Sequence, residues 1–547
     1  MNTIPPETLV MILQYVVDGC RSDKNSVLKL RLVCKAFDKC LKQTALKTIQ
    51  LDFKRIYRFR EIERNKAQKS SLHDISPCTE NLYIDMTIVR DPSELAQSSL
   101  FNEWLLTYAI DEIEALAQMF DSVESYSSEM EELIESLQKY CLKQTTFTER
   151  DYNLVVWRTL INGPNITRLE VDLPLPVLGS GSTTAARLLA STFSCVANRS
   201  QQCKKIDILI IKHLSDMALN TLFSCPDSMG NTLKTFKNLK ALVLTLKRSK
   251  SRDLRLNLFT KNFWSMLRKA TNLQSLFISG WMNLKQPKMQ PQTPFKYWRM
   301  RCLLYDSSPG PGLENLRCLE LKSVEVEARM FYLMIEQNCH SLSELYLDHI
   351  QLNVHGTHQQ RSTHDLWIGY PDIAPMEGQC TWVAPALRHI KELHLKVLRA
   401  TKLSYHVRPY LLSKYQNFDL DDPADRGRSL EERFVEVVLG TKASISLDVD
   451  KTSATAYVSK HGEQHPGSHD SKSYQTYHNK TSLYKTSLDG VFNNHNTEAS
   501  RELTKIVDVT NNEIDLLLLQ IARRNASTLS SLENGELHLE TPSTDTH

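Results

Sequence analysis

The chain lacks the short signatures by which catalytic sites commonly announce themselves. It has no G-x-S-x-G elbow and no H-E-x-x-H pair. Its only local glycine-rich run, Gly179-Ser180-Gly181-Ser182, is not followed by the lysine a phosphate loop needs. No stretch approaches the ~20 apolar residues of a membrane-crossing helix; the longest candidate, Ile514 to Ile521, is far too short. The 12 cysteines are scattered singly between Cys20 and Cys380 without a C-x-x-C pair. That excludes a paired-cysteine metal site and a disulfide framework, and reads as free, mostly buried thiols in a reducing compartment. Charge of one sign is missing too. Lys and Arg number 66 against 63 Asp and Glu, a net charge of +3, so the whole molecule has no strong electrostatic preference and nucleic acid is not an expected partner. The N-terminus has no basic-then-apolar leader, since Glu7 comes early and the apolar positions are spaced as in an amphipathic helix. These absences lead us to expect a soluble intracellular protein, cytoplasmic or nuclear, that is no enzyme and needs no cofactor, metal or membrane.

What the chain does have is enough apolar residues (41%) for a sizeable core, although a mean hydropathy of -0.35 implies some polar, poorly packed length. Its 547 residues could hold about two to four ordinary domains or one long repeat array. The first 40 residues are the most informative. Pro5 and Pro6 suit a helix entry, because proline has no N–H to lose and its φ is already near the helical value. Leu9, Ile12, Leu13 and Val16 recur at i, i+3, i+4 and i+7, which predicts one apolar face on a helix of about three turns closed by Asp18 and Gly19. Leu28, Leu32 and Val33 form a second stripe, and Phe37 carries it into a third short helix. Three helices this short bury little surface by themselves and need a partner, either the rest of the chain or another protein.

The order Ile4-Pro5-Pro6-Glu7-Thr8-Leu9, then Ile12-Leu13, then Leu30-Arg31-Leu32-Val33-Cys34-Lys35-Ala36-Phe37 resembles the F-box, the helical module that docks a protein onto the Skp adaptor of a cullin-RING ubiquitin ligase. Ile4 stands where the family has leucine and Phe37 where tryptophan is common, and the gap from Asp18 to Asn25 is somewhat long. The match covers residues 4 to about 41. The resemblance implies that Ile4, Pro5, Leu9, Ile12, Leu13, Leu28, Leu32 and Val33 meet the adaptor, some of them facing the module's own core instead. Sequence alone does not divide the two sets.

A second pattern follows: apolar, two residues, apolar, one residue, apolar. It occurs at Leu46/Ile49/Leu51, Ile166/Leu169/Val171, Ile206/Leu209/Ile211, Leu239/Leu242/Leu244, Leu273/Leu276/Ile278, Leu316/Leu319/Leu321, Leu342/Leu345/Leu347 and Ile390/Leu393/Leu395, with a partial copy at Leu82/Ile84. The last two positions alternate as a half-buried strand requires. Apolar helical stretches such as Phe263, Trp264, Leu267 and Phe331, Met334, Ile335 precede the strands. A repeated strand-plus-helix unit that buries its apolar face only by stacking resembles the leucine-rich-repeat solenoid. Spacings from 26 (319 to 345) to 48 (345 to 393) are irregular, and the motif's regular asparagine is absent, as in fungal-type F-box proteins with surface insertions. An α/β domain with a parallel sheet shares the local pattern.

The expected fold is therefore α/β: an N-terminal three-helix F-box (1–45), then an irregular leucine-rich-repeat solenoid (46–449) with helical and disordered insertions. An acidic helical insertion (about 91–140) has twelve Asp or Glu between Asp91 and Gln138 and no Lys or Arg, with stripes at Phe101, Trp104, Leu105, Tyr108 and at Met130, Leu133, Ile134, Leu137. Residues 450–512 read as a polar mobile insertion in which Gly462, Pro466 and Gly467 argue against a helical metal site at His461, His465 and His469. Residues 513–540 read as a closing repeat and 541–547 as a disordered tail. In the break from His355 to Trp382, the aromatics Trp367, Tyr370 and Trp382 either anchor a partner or tuck into the array's edge. Between Asn231 and Ala270 eleven Lys or Arg meet one acid, and the dense run Lys247, Arg248, Lys250, Arg252 is the candidate contact for an acidic or phosphorylated protein target. The implied role is substrate-recognition subunit of an SCF-type ligase, joined through the adaptor to a cullin. The alternative is a non-catalytic scaffold or interaction protein that binds the adaptor without directing ubiquitination.

Overall fold

The computed structural model describes residues 4–20, 24–64, 75–89, 128–141, 148–174, 183–247, 255–280, 313–354, 365–367, 380–401 and 403–407, with single helical positions at 434–435, 438–439, 501, 505, 508–509, 512 and 523. It is a mixed α/β structure with a large parallel sheet and twelve α-helices among the described residues.

Three helices come first: α1 (Pro6–Gly19), α2 (Lys24–Leu30) and α3 (Lys35–Ala45). Their core is a separate cluster of Leu13, Val17, Val27, Leu41 and Ala45. The main sheet has nine strands: β1 (Thr48–Asp52), β2 (Asn81–Asp85), β3 (Arg168–Asp172), β4 (Ile208–Ser215), β5 (Ala241–Lys247), β6 (Ser275–Gly280), β7 (Cys318–Lys322), β9 (Glu344–Asp348) and β13 (Val397–Thr401). Every neighbouring pair is parallel and the strands lie side by side in chain order, so each new strand extends the same edge. The hydrogen-bond ladder begins one residue before each strand: the Glu80, Thr167, Asp207, Lys240, Gln274, Arg317, Ser343 and Lys396 amides each donate to the preceding unit.

The period-two alternation fixes what faces inward. Leu51, Ile84, Val171, Ile211, Leu244, Ile278, Leu321, Leu347 and Ala400 form one fully buried row across the sheet. Against it lie α4 (Phe53–Arg64), α6 (Glu149–Asn162), α7 (Thr183–Ala197), α8 (Asp216–Ser224), α9 (Pro226–Phe236), α10 (Arg255–Arg268), α11 (Ala328–Gln337) and α12 (Val383–His389), while the described side chains of α5 (Ser128–Gln138) contribute nothing to this core cluster. Helices α6 to α10 pack each on the next, and the expected helical residues Phe263, Trp264, Leu267, Phe331, Met334 and Ile335 are all buried. At the far end a second parallel ribbon, β8 (Glu325–Glu327), β10 (Gln351–Val354) and β14 (Ser404–Val407), runs on from β7, β9 and β13. The first two corners turn at Ser323 and His349, both at positive φ, and β4 bends at His213 in the same way. These residues follow Lys322, Asp348 and Lys212, so one corner geometry recurs at one place in three units.

Three expectations are corrected or refined. Ile390, Leu393 and Leu395 are buried but precede the last strand of the main sheet, which is Val397–Thr401; Leu395, Leu398 and Ala400 fill the template there. The break from His355 to Trp382 contains two short parallel strands, β11 (Asp365–Trp367) and β12 (Cys380–Trp382), with Trp367 and Trp382 in register; Tyr370 lies outside the described residues. Of the acidic insertion, α5 is described: Leu137 is buried, and nearby Tyr140 meets Phe53 of α4 edge-on at 5.8 Å. Phe101, Trp104, Leu105 and Tyr108 lie outside the described residues. So do the three histidines at 461, 465 and 469, almost all of 450–512 and 513–540, and the tail 541–547.

Candidate functional site

The unusual surface of this molecule is on the first three helices. Pro5 caps α1 in an extended conformation, and its carbonyl accepts the Leu9 amide at 3.0 Å. On that helix Leu13 and Val17 turn into the local core and Leu9 packs beside them. The opposite side carries Met11, Ile12, Tyr15 and Val16, all exposed, with Tyr15 at 76%. This helix is apolar on two faces and its own module covers only one.

The corner between α2 and α3 is similar. Helix α2 ends in a tight turn in which the Leu32 amide donates to the Lys29 carbonyl and the Val33 amide to Leu30. Arg31 Nη2 and Nε both donate to one oxygen, Asp38 Oδ1, at 2.8 and 2.9 Å, and tie the corner to α3. Leu32 is held out at 85% exposure and Val33 at 56%. Of the thirteen exposed large apolar side chains among the described residues, eight lie between Ile4 and Val33. Scattered exposed leucines are ordinary, but a cluster on fixed backbone marks a binding surface.

The structure divides the eight adaptor candidates. Ile4, Pro5, Ile12, Leu32 and Val33 are exposed. Leu13 is interior, and Leu9 and Leu28 are partly buried against the same core, so Leu13 serves the module's own packing while Leu9 and Leu28 lie at the border between core and surface. Val10, Met11, Tyr15 and Val16 are exposed, and none of them was a candidate.

The candidate target-binding run is described only at its first residue. Lys247 ends β5, and Arg248, Lys250 and Arg252 lie outside the described residues. Charge appears instead on the sheet face away from the helices, as ion pairs within a strand and between neighbouring strands. Lys212 binds Asp172 at 3.2 Å and Glu170 at 2.8 Å; Arg168 meets Glu170 at 2.9 Å, and the Tyr83 hydroxyl donates to Asp172 at 2.9 Å. Burial, with Glu170 and Asp85 close by, raises the Asp172 carboxyl above its ordinary value against the pull of Lys212. Burial lowers Lys212, but Asp172 and Glu170 outweigh it and hold the ammonium charged. Asp172 is buried, so this network fastens strands and offers little free charge to a partner.

A second such knot joins β7, β9 and β13. Asp348 accepts from Lys322 at 2.9 Å and Thr401 at 3.2 Å and pairs with the His349 ring at 2.9 Å. Burial opposes its charge, yet the bonds from His349 and Lys322 prevail and hold the carboxyl at about 2. A folded value below the unfolded ~3.9 means that the unfolded chain takes up the proton first as pH falls. The stabilisation is complete above about pH 4 and lost between there and pH 2. Asp348→Asn is expected to lower stability by about 2 kcal/mol at neutral pH. Urea melts should then show the gap between the two proteins closing as pH falls through that window; a constant gap would contradict the assignment.

A groove of about 660 Å³ between α6 and α7 is lined by Arg150, Asp151, Asn153, Trp157, Cys195 and Asn198, among others. Its groups are occupied with structure. Asp151 closes a capping box with Thr148 and pairs with Arg60, while the Cys195 thiol donates to Asn153 and is pushed up to about 12 by burial. A thiol so held is protonated at neutral pH and a poor nucleophile. Among the described residues no helix is long and apolar enough to cross a membrane. Comparison with protein-family models and with curated proteins finds no match for this chain.

Proposed function

We propose that this chain is the substrate-recognition subunit of an SCF-type cullin-RING ubiquitin ligase. Residues 1–45 act as the F-box that binds a Skp-type adaptor, and the strand–helix array, an irregular leucine-rich-repeat solenoid, holds a protein target. The observation that carries the reading is the exposed apolar cluster of Ile4, Met11, Ile12, Tyr15, Leu32 and Val33 on a module with its own closed core. Sheet topology supports the solenoid: strands are added in chain order at one edge, whereas a doubly wound sheet reverses direction at a switch point. The chain itself contributes no catalysis in this reading. It raises the local concentration of a target beside a charged conjugating enzyme.

Co-expression with a Skp-type adaptor tests it. The expected result is a stoichiometric complex that recruits a cullin, together with a cellular protein whose abundance rises when this chain is removed. An adaptor complex with a cullin but no stabilised protein would favour the scaffold alternative. Absence of the adaptor complex would refute both.

A further inference from the structure

Cys339, His340 and Glu392 converge on one point although they come from different units. Cys339 and His340 sit in the turn that ends α11 and leads into β9, and Glu392 sits in the equivalent turn between α12 and β13. The two strands are paired, so the turns are neighbours at one end of the sheet. Cys339 Sγ lies 3.7 Å and His340 Nε2 3.3 Å from the same oxygen, Glu392 Oε2. All three donor atoms lie within 4.8 Å of one another.

These spacings match a tetrahedral metal site. Bond lengths of roughly 2.3 Å to sulfur and 2.0 to 2.2 Å to nitrogen and oxygen give edges of about 3.6 Å for S···O and about 3.4 Å for N···O around zinc. The backbone under the donors is fixed. Asn338 accepts the Leu313 amide at 2.9 Å and donates to the Met334 carbonyl at 2.6 Å, and Glu392 lies between buried Ile390 and Leu393. The thiol is buried while His340 and Glu392 face solvent, which leaves an entry path.

We propose that Cys339, His340 and Glu392 bind a divalent zinc ion that clips two neighbouring units of the array together, with water in the fourth position. A thiolate, a neutral imidazole and a carboxylate supply the mixed soft and borderline donor set that suits zinc. Binding releases the thiol proton, and the thiolate and carboxylate charges balance the ion. This inference does not depend on the ligase reading.

The test is titration of the full-length, chelator-treated chain with Zn(II) by calorimetry and with Co(II) by absorption. One equivalent should bind, and cobalt should give a thiolate-to-metal charge-transfer band with tetrahedral ligand-field bands. Cys339→Ser should remove the charge-transfer band. His340→Ala and Glu392→Gln, both at exposed positions, should each weaken the Zn(II) Kd by at least about tenfold. Zinc should raise the melting temperature of the native chain and raise that of Glu392→Gln by less at the same zinc concentration. Zinc binding of equal strength in Glu392→Gln and His340→Ala, or a cobalt band that survives in Cys339→Ser, would overturn the site. So would no metal uptake by the native chain.

Discussion

Replacing Ile12 and Leu32 with glutamate is expected to abolish adaptor binding and leave the protein folded. Both side chains project from the N-terminal helices, Ile12 at 45% exposure and Leu32 at 85%. Charge at an exposed site typically changes stability by only about 0.5 kcal/mol in either direction. In an interface it would bury an unpaired carboxylate at the centre of an apolar contact. A loss of about 3 kcal/mol or more, a weakening of roughly a hundredfold, is the expected scale for a single anchor. Leu13→Ala makes the contrast. That side chain is 2% exposed in a core of five residues, and its removal should cost about 2 to 5 kcal/mol. A module this small should unfold locally, while the separate core of the sheet keeps its melting behaviour. Calorimetric binding to a purified adaptor, with circular dichroism and thermal melts of each variant, separates the two cases. Unchanged affinity in the Ile12→Glu, Leu32→Glu double variant would refute the assignment of this surface.

The inward row of the main sheet was largely legible in the sequence, and the surface of α1 was not. Alternation at a period of two places Leu169 and Val171, or Leu319 and Leu321, on one face whatever the tertiary context. In a helix the spacing defines a stripe but not which part of it the neighbours cover. Leu9, Ile12, Leu13 and Val16 straddle that border, and the outward set announces itself through Met11, Ile12, Tyr15 and Val16 at i, i+1, i+4 and i+5. The last strand slipped because Ile390/Leu393/Leu395 and Leu395/Leu398/Ala400 fit the same template, and alanine at its end hid the true one. Asn165, Asn272 and Asn315 stand just before the first apolar position and donate to Pro77, Thr271 and Lys237 carbonyls of preceding turns, Asn272 to Lys237 and Asn315 to Thr271. The ion-pair knots could not be read at all, since Asp172 and Lys212 are distant in sequence and look like the solvated ends of alternating strands.

Arg199→Ala should cost about 3 kcal/mol, the largest loss from any single polar side chain named here. The guanidinium donates to four backbone carbonyls: Leu160 at 3.3 Å, Ile166 at 3.0 Å, Lys204 at 2.9 Å and Gly163 at 2.7 Å. Leu160 lies near the C-terminal end of α6, where carbonyls have no partner within the helix. Gly163 and Ile166 carry the chain from that helix into β3, and Lys204 lies in the turn before β4. One cation thus holds the exit of a helix and the approaches to two paired strands. The side chain is partly buried, so water can replace the donors only in part, which keeps the estimate below the sum of four charged hydrogen bonds. Lysine retains the charge but not the planar fork and cannot reach carbonyls on both sides of the turn. Arg199→Lys should therefore recover less than half of the loss. If chemical denaturation instead finds the lysine variant as stable as the native chain, charge near the helix end is what matters and the four-way staple is wrong.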